Sequence, residues 1–273
     1  MKRFVRVASN GGPRVGRLLD GQIEVLDHDE PLRAVAGVGA VAYRMDVTDA
    51  RLLAPIHAPE VWCAGVTYER SRDARLEESQ EGVADAYALV YDAPRPELFL
   101  KDAQMRRTVG PGCAIRTRSD SRWNVPEPEL AVVLGERLEP VALTIGNDVS
   151  SRDIEGENPL YLPQAKIFAA ACAIGPALAV PTDWAAPLEI ALRIEQGDGT
   201  VIFEASTSTA GMRRTLPELV EWLVRSNPVP PGSVLLTGTG LIPPDDFSLQ
   251  PGQIVQIEIE GIGALRNPVG PAT

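Results

Sequence analysis

Three carboxylates in this sequence have the type and spacing of a cation site. Glu127 and Glu129 stand one residue apart in "NVPEPELAVVLG", between prolines and ahead of an almost unbroken apolar run. Asp148 closes a second apolar run, in "LTIGNDVSSRD", 19 residues after Glu129. Side chains two apart on a strand point the same way, which would set the glutamates on one face roughly 7 Å apart. The residues that follow are apolar in both alternating sets: Ala131 and Val133 on the glutamate side, Leu130, Val132 and Leu134 on the other. That pattern marks a strand buried on both faces. Like charges at such a strand end repel and lose hydration, so they must be neutralised. Two arrangements would do this, a solvated strand end paired with arginines or an oxygen-only site for a hard cation. With no histidine or cysteine near any of the three, Mg²⁺, Mn²⁺ or Ca²⁺ fits such a site better than Zn²⁺ does.

The elements that must position them are mostly strands. The 273 residues include 24 glycines and 24 prolines, with few aromatics, which favours short strands and turns over a helical bundle. "LLDGQIEVL" carries a hairpin signal at Asp20-Gly21, and "LEIALRIEQGDGTVIFEAST" a second at Asp198-Gly199. "IVQIEIE" alternates cleanly, with Val255, Ile257 and Ile259 on one face. One helix is signposted, in "TLPELVEWLV": Thr215 and Glu218 form a capping-box pair, and Leu216, Leu219, Val220, Leu223 and Val224 form an apolar stripe. "TYERSRDARLEESQEG" reads as a solvated helix or a lid. The fold expected is mainly β with some α, divided into a small N-terminal β-rich domain (1–56) and a catalytic domain (57–273).

Composition excludes several function classes. A net charge of −11 with no Lys/Arg cluster disfavours a nucleic-acid partner. No segment approaches the roughly 20 apolar residues of a membrane span. Three dispersed cysteines, Cys63, Cys113 and Cys172, form no C-x-x-C pair and suit a reducing, cytoplasmic setting. "TGTG" lacks the lysine of a phosphate loop, and there is no G-x-S-x-G elbow.

The order "PEPELAVVLG", "GNDVSSRD", "PQAKIF", "LLTGTGLIPP" resembles the fumarylacetoacetate hydrolase superfamily from about Pro59 to the C-terminus. The resemblance implies a fumarylacetoacetase C-terminal-like mixed β-sandwich or roll, and a homodimer or homotetramer. It also implies Mg²⁺ held by Glu127, Glu129 and Asp148, an essential lysine at Lys166, and a substrate-contacting Thr239. Members that cleave carbon–carbon bonds carry a lid motif resembling "NYxxHxxE". Here, counting from Tyr68, Ser71 and Ala74 stand at the His and Glu positions. His28 and His57, the only histidines, lie elsewhere, which leaves a hydrolytic water without its expected base.

"GVTYERS", "NPLYLPQAKIF" and "GTGLIPPDDFSLQPG" are instead similar to the branch that dehydrates 2-keto-3-deoxy sugar acids. That likeness implies a lyase of pentose catabolism taking a 2-keto acid such as 2-keto-3-deoxy-D-arabinonate to 2-oxoglutarate semialdehyde. Lys166 would then be the base, with Tyr68, Ser71, Arg72 and Thr239 as substrate contacts. Lys101 and Arg152 remain open between supporting and functional roles. Two other readings stand beside this one: a hydrolase or decarboxylase of β-diketo acids, and a non-catalytic binder of 2-keto acids.

Overall fold

A computed structural model of the chain describes residues 1–70 and 89–273. Its middle is the glutamate strand, Pro128–Leu134, paired antiparallel with the aspartate strand, Pro140–Asp148, which in turn pairs antiparallel with Cys172–Val180. On the other side of the glutamate strand come Val234–Leu236, then Glu60–Gly65 in parallel, then Glu97–Ala103 antiparallel at the edge. Beyond Cys172–Val180 the sheet continues through Lys2–Val7 into the N-terminal hairpin strands Arg14–Leu18 and Gln22–Leu26, and then Val41–Asp46. The 1–56 segment thus extends the central sheet rather than building a separate one.

A second, four-stranded antiparallel sheet runs Val201–Ser208, Glu189–Glu195, Ile254–Ile259, Gly263–Pro268. The hairpin turning at Asp198-Gly199 and the alternating strand with Val255, Ile257 and Ile259 buried are where the sequence pattern puts them. The fold is mainly β, as expected.

The two apolar sets of the glutamate strand enter two different cores. Leu130, Val132 and Leu134 pack with Ile190, Leu192, Ile194, Val255 and Ile257 from the second sheet, and with Leu219 and Leu223 from the helix Leu216–Val224. Ala131 and Val133 pack with Val61, Cys63, Leu178 and Leu236 on the opposite face. Each fully buried Val or Leu contributes about 1.5–3 kcal/mol from removal of apolar surface from water, so this strand is anchored from both sides. A rigid strand is what a site needs at its end.

The helix begins as its sequence predicts, but with half the cap. Thr215 Oγ1 accepts from Glu218 N at 3.3 Å, while the Glu218 carboxylate turns to Arg214 Nη1 at 2.8 Å rather than back to the cap. The nearby cation offers a stronger, charge-assisted bond than the backbone amide does. Among the described residues no helix is long and apolar enough to cross a membrane.

Candidate active site

The register of the central hairpin assembles the carboxylates. Pro128 lies opposite Asn147 and Glu129 opposite Gly146, which sets Asp148 across from Glu127; Asp148 N donates to Glu127 O at 3.0 Å. Glu127 itself stands just ahead of the strand, which begins at Pro128. One oxygen from each of Glu127, Glu129 and Asp148 lies within 4.8 Å of the others, and all three residues are buried. The sequence's solvated alternative is therefore not the one adopted.

Three buried cations come to this cluster. Lys166 ends the short helix Leu162–Lys166, and its Nζ donates to Glu127 Oε2 at 2.8 Å, Asp148 Oδ2 at 3.0 Å and Ser150 Oγ at 2.6 Å. Lys101 pairs with Asp148 Oδ1, and its Nζ also donates to the carbonyls of Val149 (3.0 Å) and of Lys166. It therefore ties the aspartate to the backbone of the lysine beside it. Arg152, at the start of the helix Arg152–Glu157, donates from Nη2 to Glu127 Oε1 at 3.0 Å. That partner is neither Asp153 nor Glu155, the two local candidates in the sequence. Asp153 binds Ser121 Oγ and Arg122 N instead.

Glu129 is treated differently. Among the described residues no cation lies within ion-pair distance of it, and its Oε2 accepts from Gly238 N at 2.6 Å. Burial, followed by the charges of Asp148 and Glu127, holds its carboxyl well above the usual range, and Lys166 and the Gly238 amide only partly offset this. Gly238 can approach because it has no side chain. Its φ is +91°, and a β-carbon there would stand 2.0 Å from Thr67 Oγ1. This is the role of the "TGTG" glycine: its amide binds a carboxylate, not a phosphate.

An anion trio of oxygens only, with one member lacking a cationic partner among the described residues, fits a divalent hard cation. The cavity beside it, about 20 Å³, is lined by Glu127, Glu129, Asp148, Lys166 and Thr239 together with Glu97, Phe99 and Glu155. Thr239 Oγ1 donates to Leu241 O at 3.0 Å. Tyr68 is buried beside Gly240 and Gly211 and does not line the cavity; its hydroxyl has no hydrogen-bond partner among the described residues. Burial raises its pKa, with the Glu129 charge adding to the effect. Ser71 and Arg72, with the lid reading of the surrounding segment, lie outside the described residues.

Glu97 was not singled out by the sequence reading, although Glu97, Phe99 and Lys101 fall on one alternation in "ELFLKDA". A larger groove of about 630 Å³ near Trp184, Met212 and Leu216 is chiefly apolar and has no cluster of titratable groups. The clustered titratable groups lie at the small cavity.

The remaining candidates are structural. His28 accepts from Glu30 N and bonds Val38 O, which locks a turn in the N-terminal strands. Burial pushes the Cys63 thiol well up and that of Cys172 to about 12, which disfavours the thiolate at both.

The family description "Fumarylacetoacetate (FAA) hydrolase C-terminal" matches residues 60–270, and "Rv2993c-like, N-terminal" matches residues 2–55. The chain belongs to the fumarylacetoacetate hydrolase family. Among its relatives in that family, the "Probable 2-keto-3-deoxyxylonate dehydratase" of Haloferax volcanii is 53% identical over 223 residues, covering 81% of this chain and 75% of that protein. The "2-dehydro-3-deoxy-D-arabinonate dehydratase" of Saccharolobus solfataricus is 46% identical over 289 residues, covering 98% and 96%. The solved structure "2-keto-3-deoxy-D-arabinonate dehydratase complexed with magnesium and 2,5-dioxopentanoate" superposes with a TM-score of 0.87 at 38% identity, covering 98% of this chain and 99% of that one.

Proposed function

We propose that the protein is a Mg²⁺-dependent dehydratase that removes water from a 2-keto-3-deoxy sugar acid such as 2-keto-3-deoxy-D-arabinonate, giving 2-oxoglutarate semialdehyde (2,5-dioxopentanoate). The observation that carries this reading is a buried lysine amine bonded to two of three clustered carboxylates, in a chain 46–53% identical to two relatives named as dehydratases.

Glu127, Glu129 and Asp148 would hold the cation. When bound, Mg²⁺ supplies Lewis-acid withdrawal of charge from the keto group and, as a neighbouring positive charge, favours the neutral form of the Lys166 amine. Lys166 takes the C3 proton of the substrate. Its reach is fixed by Ser150 and by the hold of Lys101 on its carbonyl, so the amine is positioned before substrate arrives. Arg152 and Lys101 hold the Glu127 and Asp148 carboxylates in place. Thr239, on the cavity wall, is the proposed hydrogen-bonding contact to substrate; Ser71 and Arg72 are proposed contacts from the lid segment. Tyr68 would contribute by walling the Gly238–Gly240 loop more than by direct contact.

In the same reading the catalytic unit is residues 57–273, which supply every site residue, and residues 1–56 are an accessory β domain. A cytoplasmic homodimer or homotetramer is proposed on the family likeness and the free cysteines.

The reading is tested by a proton NMR time course with Mg²⁺-loaded protein and 2-keto-3-deoxy-D-arabinonate, beside a tube with acetylpyruvate. An aldehyde and its hydrate growing only in the first tube, and stopping with chelator, is the expected result. Acetate and pyruvate from the second tube, with the sugar acid untouched, would mean a hydrolase.

A further inference from the structure

We propose that Arg118 is a positioning residue for Lys166, holding the short helix that carries the amine; this rests on the dehydratase reading, in which Lys166 is the base. The helix Leu162–Lys166 has five residues, of which only Ala165 and Lys166 are buried. A helix of that length has no stability of its own, so whatever grips its backbone decides where the amine stands. The last carbonyls of a helix have no donor within it, and cations complement them. Two cations do so here. Arg118 Nη1 donates to Gln164 O at 2.8 Å, and Lys101 Nζ donates to Lys166 O. Both also lie by the Phe168 ring, with Arg118 Cζ 6.0 Å and Lys101 Nζ 5.8 Å from its centre, within reach of cation–π attraction. Lys101 belongs to the site, where it pairs with Asp148, whereas Arg118 does not line the cavity.

Arg118 can hold the helix because it is itself fixed. Its Nε and Nη2 donate to the two Asp120 carboxylate oxygens at 2.7 and 2.5 Å, which leaves Nη1 for Gln164. Its backbone amide donates to Asn124 Oδ1 at 3.2 Å. Both of its chain neighbours are pinned by Thr273: Thr273 N donates to Thr117 O at 3.0 Å, and Ser119 N donates to Thr273 O at 2.9 Å. Ile115 is tied in the same way, to Pro268 and Gly270. This stretch also grips the chain beyond Lys166, where Arg116 N donates to Ala170 O at 3.2 Å. Lys166 is thus bracketed, at Gln164 and at Ala170, by one segment that is bonded to residues 268–273. Ser150 and the carboxylates hold the amine at its tip. Arg118 holds the helix at the other end of the side chain. Taking a proton from C3 needs both, since a misplacement of about 1 Å can cost about 100-fold in rate.

The test reads proton transfer apart from water loss. Wild type, Arg118→Met, Arg118→Lys and Asp120→Ala, each with Mg²⁺ in D₂O, are given 2-oxopentanoate, a keto acid with C3 protons but no C4 hydroxyl. Exchange proceeds as C3–H breaks, the proton passes to the Lys166 amine, the electron pair moves to the keto oxygen, and a deuteron returns to C3. Proton NMR gives its maximal rate and half-saturation. Turnover of 2-keto-3-deoxy-D-arabinonate and Mg²⁺ binding by calorimetry are measured beside it. The expected result is that Arg118→Met lowers the maximal rate about 10- to 100-fold on either substrate, while half-saturation and Mg²⁺ affinity stay within about threefold of wild type. Arg118→Lys, which keeps the charge and one donor, should be at least about threefold faster than Arg118→Met. Should Arg118→Met fail to fold, Asp120→Ala, at an exposed position, carries the same test, and must slow the maximal rate at least about threefold with half-saturation unchanged. A wild-type rate in Arg118→Met, an equal change in half-saturation or Mg²⁺ affinity, or an Arg118→Lys no faster than Arg118→Met each overturns the assignment. A wild type that exchanges C3 protons but never loses water from the sugar acid overturns the dehydratase reading; slowed exchange in Arg118→Met would still uphold Arg118. A wild type that neither exchanges nor dehydrates overturns both.

Discussion

Two strands of this protein bury opposite kinds of residue. In Ile254–Ile259, Val255, Ile257 and Ile259 are buried and Glu258 meets water, the ordinary arrangement for a half-covered sheet. In Glu97–Ala103, Glu97 and Phe99 line the carboxylate cavity and Lys101 pairs with Asp148. Lys101 is 1% exposed while its neighbour Leu100 is 37% exposed. Burying an ammonium in preference to a leucine costs free energy unless the charge is paired and its donors are satisfied. Asp148 and two carbonyls do that here. The first strand is polarised to build the core, and the second to position charge beside the carboxylate trio.

That contrast predicts what substitutions should do, beginning with the largest effect. Lys101→Met, by removing one of the two lysines on Asp148 and leaving Oδ1 without its cation, should cost about 3–5 kcal/mol in chemical denaturation without metal. Ile257→Ala on the first strand should cost about 2–5 kcal/mol with or without metal. Only the first loss should shrink when Mg²⁺ is present, because a bound cation replaces the missing charge. Equal insensitivity to Mg²⁺ in both variants would remove the distinction drawn between the strands.

A second prediction concerns pH. With its pKa raised, folded Glu129 holds a proton over a range where the unfolded chain has released it, so the unfolded state binds fewer protons there and stability falls as pH rises. The metal-free protein should lose Tm on going upward from the ordinary carboxylate range near 4.5. Saturating Mg²⁺ should reverse that slope, and Glu129→Gln should flatten it. Thermal scans across pH, with Mg²⁺ and with chelator, check each of these. The smallest effect belongs to the outward side of the inverted strand. Leu100→Gln should change stability by no more than about 0.5 kcal/mol, since it touches neither core nor site.

The same inversion explains which parts of the site were legible in the sequence. Glu127, Glu129 and Asp148 stand out because carboxylates interrupt runs that are otherwise apolar on both faces, and the short hairpin between them fixes which residues meet. The second-sheet strands and the Leu216–Val224 helix follow from periodicity alone. Lys166 is different. Nothing in "PQAKIF" aims its amine at residues 18 and 39 positions away; only the family likeness pointed to it. Arg152 has acidic neighbours in sequence, yet it bonds Glu127, which the fold brings to it from the central sheet. Glu218 likewise left its capping-box partner for Arg214. Local pattern identifies which residues are charged and buried, while tertiary packing chooses their partners.

The most direct measurement on the central claim is a paired one on Lys166→Ala: Mg²⁺ binding by calorimetry, and water loss from 2-keto-3-deoxy-D-arabinonate by NMR. The account predicts that the carboxylates still take up Mg²⁺ while turnover falls at least about 1,000-fold, within the range for loss of a positioned base. Turnover within a few-fold of wild type would contradict it and remove Lys166 as the base.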